Sequence, residues 1–418
     1  MSELFSRYKR LFLMIGLVLV VVLVGVLIYF LLFRTIKTDT NNQNNTNNGN
    51  INSNGQLPDT NTNRVVNRNT NQSTSNNNGT TLPDIAQIAA GGATLVNDVT
   101  STRVSSGKPT ADRTGYVYYD RDAKKFYNVG LNGEKTELSN QAFYEVNNIV
   151  WSASGQTAIL SYPDGSKVFF DFRTNQATTL PKEMKEVSFS GNGDKIAYEF
   201  VGTSDSERWL AVSKPDGSEQ QIIEPIGDKA ASVEVNWSPD SQVVATYRES
   251  VGVNQEEIYF IGQNGENFKS MVVDGSGFTS KWSPDGKQLL YSVYNSASGY
   301  RPTLWLASGQ RDSVGANAVN LQIATWPSKC AFGAVTIYCA VPTTLPEGAG
   351  LAPEVASMTP DAFYQIDLAT GQKSLLAVPA SIGGQNQYSA DVVYVSLDET
   401  QLYFHNTISG KLETIRLK

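Results

Sequence analysis

Three aspartates recur in one local setting. Asp240, Asp285 and Asp398 each stand three residues after a large apolar residue and two after a serine. The phrases are Trp237-Ser238-Pro239-Asp240, Trp282-Ser283-Pro284-Asp285 and Val395-Ser396-Leu397-Asp398. A repeated carboxylate invites a reading as a glycosidase acid or a calcium ligand. The same spacing suits a local task, in which the carboxylate bonds to its own backbone and closes a tight turn. Glycosidase carboxylates work as a convergent pair. Equivalent positions in successive repeats are a poor place for such a pair, so the turn reading is preferred.

Other chemistry is sparse. The single histidine, His405, lies in the apolar run Gln401-Leu402-Tyr403-Phe404-His405. One histidine rules out a histidine metal cluster, and a Ser-His-Asp triad would have to be built on it. The chain has no Gly-x-Ser-x-Gly elbow and no phosphate-cradling glycine loop. No catalytic residue, metal ligand or cofactor is therefore expected.

The elements that position these residues come from the repeat. Looser copies of the phrase are Trp151-Ser152-Ala153-Ser154-Gly155 and Phe189-Ser190-Gly191-Asn192-Gly193. The apolar residues that open the copies at 151, 189, 237 and 282 are spaced 38, 48 and 45 residues apart. Periods of this size mean repeated supersecondary units. From about Asp98 the chain reads as short strands with frequent turn signals, the pattern of an all-β fold. In one copy, Phe278 to Ser283 reads as a first strand, Pro284-Asp285-Gly286 as a turn, Gln288 to Tyr294 as a second strand and Pro302 to Ala307 as a third. The copy before it supplies the fourth, Phe268 to Val273. Four antiparallel strands in such a unit make a β-propeller blade. First strands are expected to end near Val104, Trp151, Phe189, Trp237, Trp282, Phe332 and Val395. Roughly 310 residues over seven blades gives about 44 each. Seven blades are favoured, with six or eight as alternatives. The Trp of each phrase should close its strand and pack between neighbouring blades.

Trp282 to Tyr291, a Trp-Ser-Pro-Asp-Gly-Lys phrase followed by an apolar strand ending in Tyr, resembles the Pro-Asp repeat of TolB-like β-propellers. These are bacterial, largely exported relatives of WD-repeat propellers. The resemblance covers residues 98–418 and is carried best by the blades near 233 and 278. It implies a propeller in a bacterial cell envelope and, by itself, no activity.

Cys330 and Cys339 are the only cysteines. Aligning Phe332 with Trp282 and Tyr338 with Tyr291 places them on adjacent antiparallel strands. An exported domain is where a disulfide persists, so a disulfide is expected rather than two buried thiols.

Leu11 to Phe33 is a 23-residue run without a charge. At helical rise it spans roughly 35 Å, enough to cross a membrane. It is longer than a secretory h-region and lacks a small-residue cleavage site, so it reads as an uncleaved anchor. Arg7, Lys9 and Arg10 precede it, against Arg34 and Lys37 after it, a bias that places residues 1–10 in the cytoplasm as a short stub. The remainder would lie outside, periplasmic or extracellular. Residues 38–82 hold 17 Asn in 45 positions and read as a disordered linker, with 98–418 as the propeller.

Residues 1–37 carry five basic side chains against Glu3, a sum of +4, so the total of −7 leaves −11 beyond them. Such an acidic domain argues against a nucleic-acid partner.

Function is sought on the face that carries the longer loops, because binding residues favour loops on a rigid scaffold. These loops are 202–207, 249–255, 295–301 and 342–361. Tyr and Arg are favoured contact residues, so Tyr247, Arg248, Glu249, Tyr294, Tyr300 and Arg301 form the candidate binding face. The expectation is a membrane-anchored, non-enzymatic module that binds a protein or glycan at the cell envelope. Its lipid contact would be the N-terminal helix. The alternative is a propeller-class glycan hydrolase or lyase with its site at the central channel.

Overall fold

The computed structural model describes residues 85–418, apart from 131–132, 267, 311–312, 383–386 and the side chain of Ser106. The expected stub, membrane helix and linker lie outside the described residues. Among the described residues no helix is long and apolar enough to cross a membrane.

Five separate four-stranded antiparallel sheets follow one another along the chain, each built from four consecutive strands in sequence order. They cover 104–137, 148–180, 184–225, 233–273 and 276–320. These are the blades of an all-β propeller. An eight-stranded sheet holds the rest. One half runs in order from Cys330–Phe332 through Thr336–Pro342 and Asp361–Asp367 to Lys373–Ala380. The other half contains Ala390–Val395, Gln401–Asn406 and Lys411–Arg416, and its fourth strand is Gly92–Asp98.

That fourth strand comes from the opposite end of the domain. Val96 pairs antiparallel with Ile415, and Gly92 to Leu95 run parallel to Ala377 to Ala380. The sheet therefore begins before residue 98, where the repeat pattern places the start of the propeller. A second correction concerns the first blade. Its inner strand runs Val104–Pro109, starting where the sequence has it ending. A glycine is essential there, since a Cβ at Gly107 would lie 2.1 Å from the Tyr116 ring.

Each repeat phrase performs two jobs. Trp282 packs with Val243, Ile258 and Phe260 of the preceding blade and with Leu289 and Tyr291 of its own. Trp237 sits likewise among Leu210 and Val212 before it and Val244 and Ala245 after it. Trp151 meets Phe126 of the first blade edge-on at 5.4 Å. The last strands close on the first blade in the same way, through Val104, Tyr118 and Leu412. Burying such aromatics, each of 150–250 Å², is the main force joining sheet to sheet.

The turns explain the rest of the phrase. Ser283 donates its hydroxyl to Asp285 at 2.7 Å and accepts the Gln288 amide at 2.9 Å, while Asp285 accepts the Lys287 amide at 3.1 Å. Gly286 adopts φ of 68°, which a side chain would resist. Ser238 with Asp240 and Ser396 with Asp398 repeat the arrangement. The three recurring aspartates are thus engaged in their own turns.

Candidate functional site

The long loop between Thr336–Pro342 and Asp361–Asp367 is tied at many points. Thr343 donates its amide to Pro360 O at 2.8 Å, closing the loop at its base. Arg301 donates from Nε to Leu345 O at 2.8 Å. The amides of Gly348 and Gly350 bond to the carbonyls of Gly299 and Tyr300 at 2.9 and 2.7 Å. A 3-10 turn, Pro353–Met358, then carries the chain toward the strand Ala390–Val395, just before which Ser389 donates its hydroxyl to Ala356 O. Buried Lys329 and Asp361 meet at 2.8 Å beneath it. An 18-residue loop, 343–360, held by this many backbone bonds is a preorganised surface.

Between this loop and the inner strands lies an open cleft of about 720 Å³, whose walls include Tyr294, Trp326, Leu351, Glu234, Arg248 and Lys281. The structure distributes the six expected contact residues unevenly around it. Arg248 and Tyr294 line the cleft together. The Tyr294 ring lies between two glycines, since a Cβ at Gly277 or Gly350 would come within 2.2 or 2.5 Å of it. Tyr300 is exposed and is not part of the cleft wall. The Arg301 guanidinium is spent on Leu345 O and Ser298 O and acts as a strut for the loop.

Tyr247 points the other way, because successive side chains of a strand face opposite sides. It stacks on Tyr259 at 5.8 Å, with the Lys229 ammonium 5.1 Å from its ring centre. There it borders a larger hollow of about 1090 Å³, the wedge between the outer strand of the third blade and the third strand of the fourth. Glu249 is exposed and paired in register with Glu257. The segment 249–255, expected as a loop, is instead an extension of the hairpin Val243–Gly252 and Gln255–Gly262. The ladder runs on through Arg248, Glu249 and Ser250, opposite Ile258, Glu257 and Glu256, in a segment whose polarity disguised it.

Three further carboxylates are not among the candidate residues read from the sequence. Glu186, Glu199 and Glu234 line a smaller cavity of about 370 Å³ that shares Glu234, Arg248 and Thr279 with the cleft. Glu199 is only 5% exposed, and its Oε1 has no hydrogen-bond partner among the described residues. Burial pushes the Glu199 carboxyl up to about 7, and the nearby Glu186 adds to the effect. Glu234 is also raised to about 7, mainly by burial, with Arg248 opposing and Glu186 assisting. Glu186 has φ of 44° where the pairing register shifts between Lys185 and Ser188. A bulge there re-aims the side chain. One sequence signal existed: Glu199 interrupts an otherwise apolar run, Ile196-Ala197-Tyr198-Glu199-Phe200-Val201.

Two half-buried lysines brace adjacent sheets. Lys281 reaches Cys330 O at 2.6 Å, and Lys108 reaches Ser152 O at 2.9 Å. Burial lowers both ammonium groups to about 8. Cys330 and Cys339 are directly opposed in the ladder, with Cα atoms 4.1 Å apart, and are joined by a disulfide. His405 hydrogen-bonds through Nδ1 to Asp391 at 2.9 Å. Among the described residues no group of three or more His, Cys, Asp or Glu is placed to hold a metal ion.

No known protein family matches the chain, and no curated protein matches it. Solved structures do. An oligogalacturonate lyase in complex with manganese aligns with a TM-score of 0.53 and 13% identity, over 77% of this chain and 93% of that one. A second oligogalacturonate lyase, from Vibrio parahaemolyticus, gives 0.51 and 12%, over 77% and 93%. The β-propeller domain of Cps50 (Swd1) from Myceliophteria thermophila gives 0.50 and 10%, over 77% and 100%. At these identities the likeness establishes the propeller fold. Enzymes and a WD-repeat domain stand side by side among the matches, so function must be argued from the site.

Proposed function

We propose that this chain is a membrane-anchored, TolB-like propeller of seven blades, with its propeller outside the cell membrane, acting as a non-enzymatic module that binds a protein or glycan partner. The seven-blade count adds the two halves of the eight-stranded sheet to the five separate blades. The uncharged run 11–33 supports the anchor, and the Cys330–Cys339 disulfide suits an oxidising compartment.

The observation that carries the binding reading is the tied loop 342–361 and what it displays. Leu351 and Met358 are 63% and 67% exposed beside the cleft, with Val355 and Tyr300 also at the surface. Apolar groups held in the open on a rigid loop, with a cleft beside them, are typical of an interaction surface. They favour a protein over a glycan. The test is affinity capture from envelope extracts with the full chain as bait. Leu351→Asp with Met358→Asp should abolish capture while leaving the thermal transition in place. Undiminished capture by that variant would remove this face from the proposal.

The carboxylates give a second reading a specific basis. Glu199 and Glu234, both raised to about 7, have proton affinities suited to general acid or base work in a glycan hydrolase or lyase. Release of reducing sugar or of unsaturated product from acidic or neutral glycans, abolished by Glu234→Gln, would establish this reading over the first.

A further inference from the structure

The cavity of Glu186, Glu199 and Glu234 has the makings of a receptor for a positive charge. Its one cation, Arg248, is already directed elsewhere: its two terminal nitrogens approach Phe278 O at 3.5 Å and Ala231 O at 3.3 Å. Three carboxyl groups thus share one guanidinium whose donors point largely at backbone. The second observation is independent of this charge count. Glu199 lines the cavity, is 95% buried (5% exposed), and leaves Oε1 without a hydrogen-bond partner among the described residues. A buried polar atom without a partner is costly, and a cationic donor is the group that relieves it. Burial and mutual repulsion act on these carboxyls as they would on a site awaiting its counter-charge.

Size and access narrow the ligand. The cavity, about 370 Å³, lies at the small end of the ligand-pocket range and accepts one long side chain. It opens into the larger cleft through shared Glu234, Arg248 and Thr279, and that cleft runs to Leu351 on the tied loop. A peptide lying along the cleft could place an apolar residue on Leu351 and send a basic side chain inward.

We propose that this cavity binds the lysine or arginine side chain of a protein partner, with the Glu199 and Glu234 carboxylates accepting its N–H donors. The inference rests on the binding reading above and specifies its partner as one that presents a cationic side chain flanked by apolar residues.

The test uses the full chain in mild detergent and the probe Ac-Leu-Arg-Leu-NH2, compared with the same peptide carrying citrulline in place of Arg. Citrulline keeps the shape and removes the charge. The arginine peptide should bind at least about tenfold more tightly, and Glu199→Gln or Glu234→Gln should reduce that ratio to about one. Neither replacement should lower the thermal transition, because burial already disfavours the charged form of each carboxyl. Equal affinity of the two peptides for the unaltered chain, including no binding of either, would overturn the proposal. So would a ratio unchanged by both replacements. Deacetylated chitotetraose that competes only when Glu199 and Glu234 are present would move the site to an amino glycan and overturn the peptide assignment. If envelope capture succeeds while the peptide ratio is one, this inference fails and the binding reading stands; failure of capture with a high ratio gives the reverse.

Discussion

Lys329 and Asp361 form an ion pair at 2.8 Å with both side chains buried, and Asp361 also accepts the Ala390 amide at 2.6 Å. The pair joins three pieces of chain: the 3-10 turn Pro327–Lys329, the end of the loop 342–361 and the strand Ala390–Val395. Its role is to hold the exposed loop to the rigid sheets from below.

Breaking one member should therefore be severe. Lys329→Met or Asp361→Asn is expected to cost about 3–5 kcal/mol, since each strands a buried charge or its hydrogen bonds. Lys329→Met combined with Asp361→Leu should recover much of the loss. Denaturant unfolding of the four proteins measures this. A double variant as unstable as the sum of the singles would contradict a coupled pair.

The glycine beside Tyr294 predicts a second effect. A Cβ at Gly350 would lie 2.5 Å from the ring, so Gly350→Ala must displace either the ring or the loop. Overpacking of this kind costs about 1–3 kcal/mol. Proteolytic cleavage within 343–358 should quicken, and Tyr294→Ala should suppress the effect of Gly350→Ala. Equal sensitivity to Gly350→Ala with and without the Tyr294 ring would place the strain elsewhere.

The carboxylates of the cavity set a pH dependence. Glu199 and Glu234 are both raised from 4.5 to about 7, so the folded chain holds their protons more tightly than the unfolded chain does. Their contribution to stability is complete below about 4.5 and is lost as pH rises through about 7. Turn aspartates such as Asp285 and Asp398 are lowered and act in the opposite sense. The clean measurement is a difference. The thermal transition of Glu199→Gln with Glu234→Gln, minus that of the unaltered chain, should grow from pH 4.5 to pH 8. A difference that is flat over this range would contradict the assignment.

The disulfide closes a short loop, the two cysteines being nine residues apart. Chain-entropy arguments assign such a bridge about 2–3 kcal/mol. Cys330→Ser with Cys339→Ser should lower stability by that amount, and reductant should lower the unaltered chain to match. Mass spectrometry without reductant should find no free thiol. Two free thiols would dismiss the bridge.

The difference between what the residues announce and what the fold adds follows the range of the interactions. Ser283, Asp285 and Gly286 complete their hydrogen bonds within six residues, so the turn and the strand before it are legible from the phrase alone. The Trp at the head of the phrase reads as an inter-blade residue because a large apolar side chain at a fixed phase must face the next sheet. Repetition turns those local rules into an architecture, and the opposed cysteines follow from the same phase.

Convergence across blades had no such signature. The strand Gly92–Asp98 finds its partners, Glu413 to Ile415, more than three hundred residues away, and carries no copy of the repeat phrase. Glu186, Glu199 and Glu234 sit on three strands of two blades and share a cavity only once those blades pack. Arg248 and Tyr247 are neighbours in the chain yet serve separate hollows because the pleat sends them apart. Turns and strand periodicity are short-range, so the sequence by itself determined the blade and its repetition. The closing strand, the carboxylate cavity and the tied loop above it depend on contacts between distant segments, and only the tertiary structure could decide them.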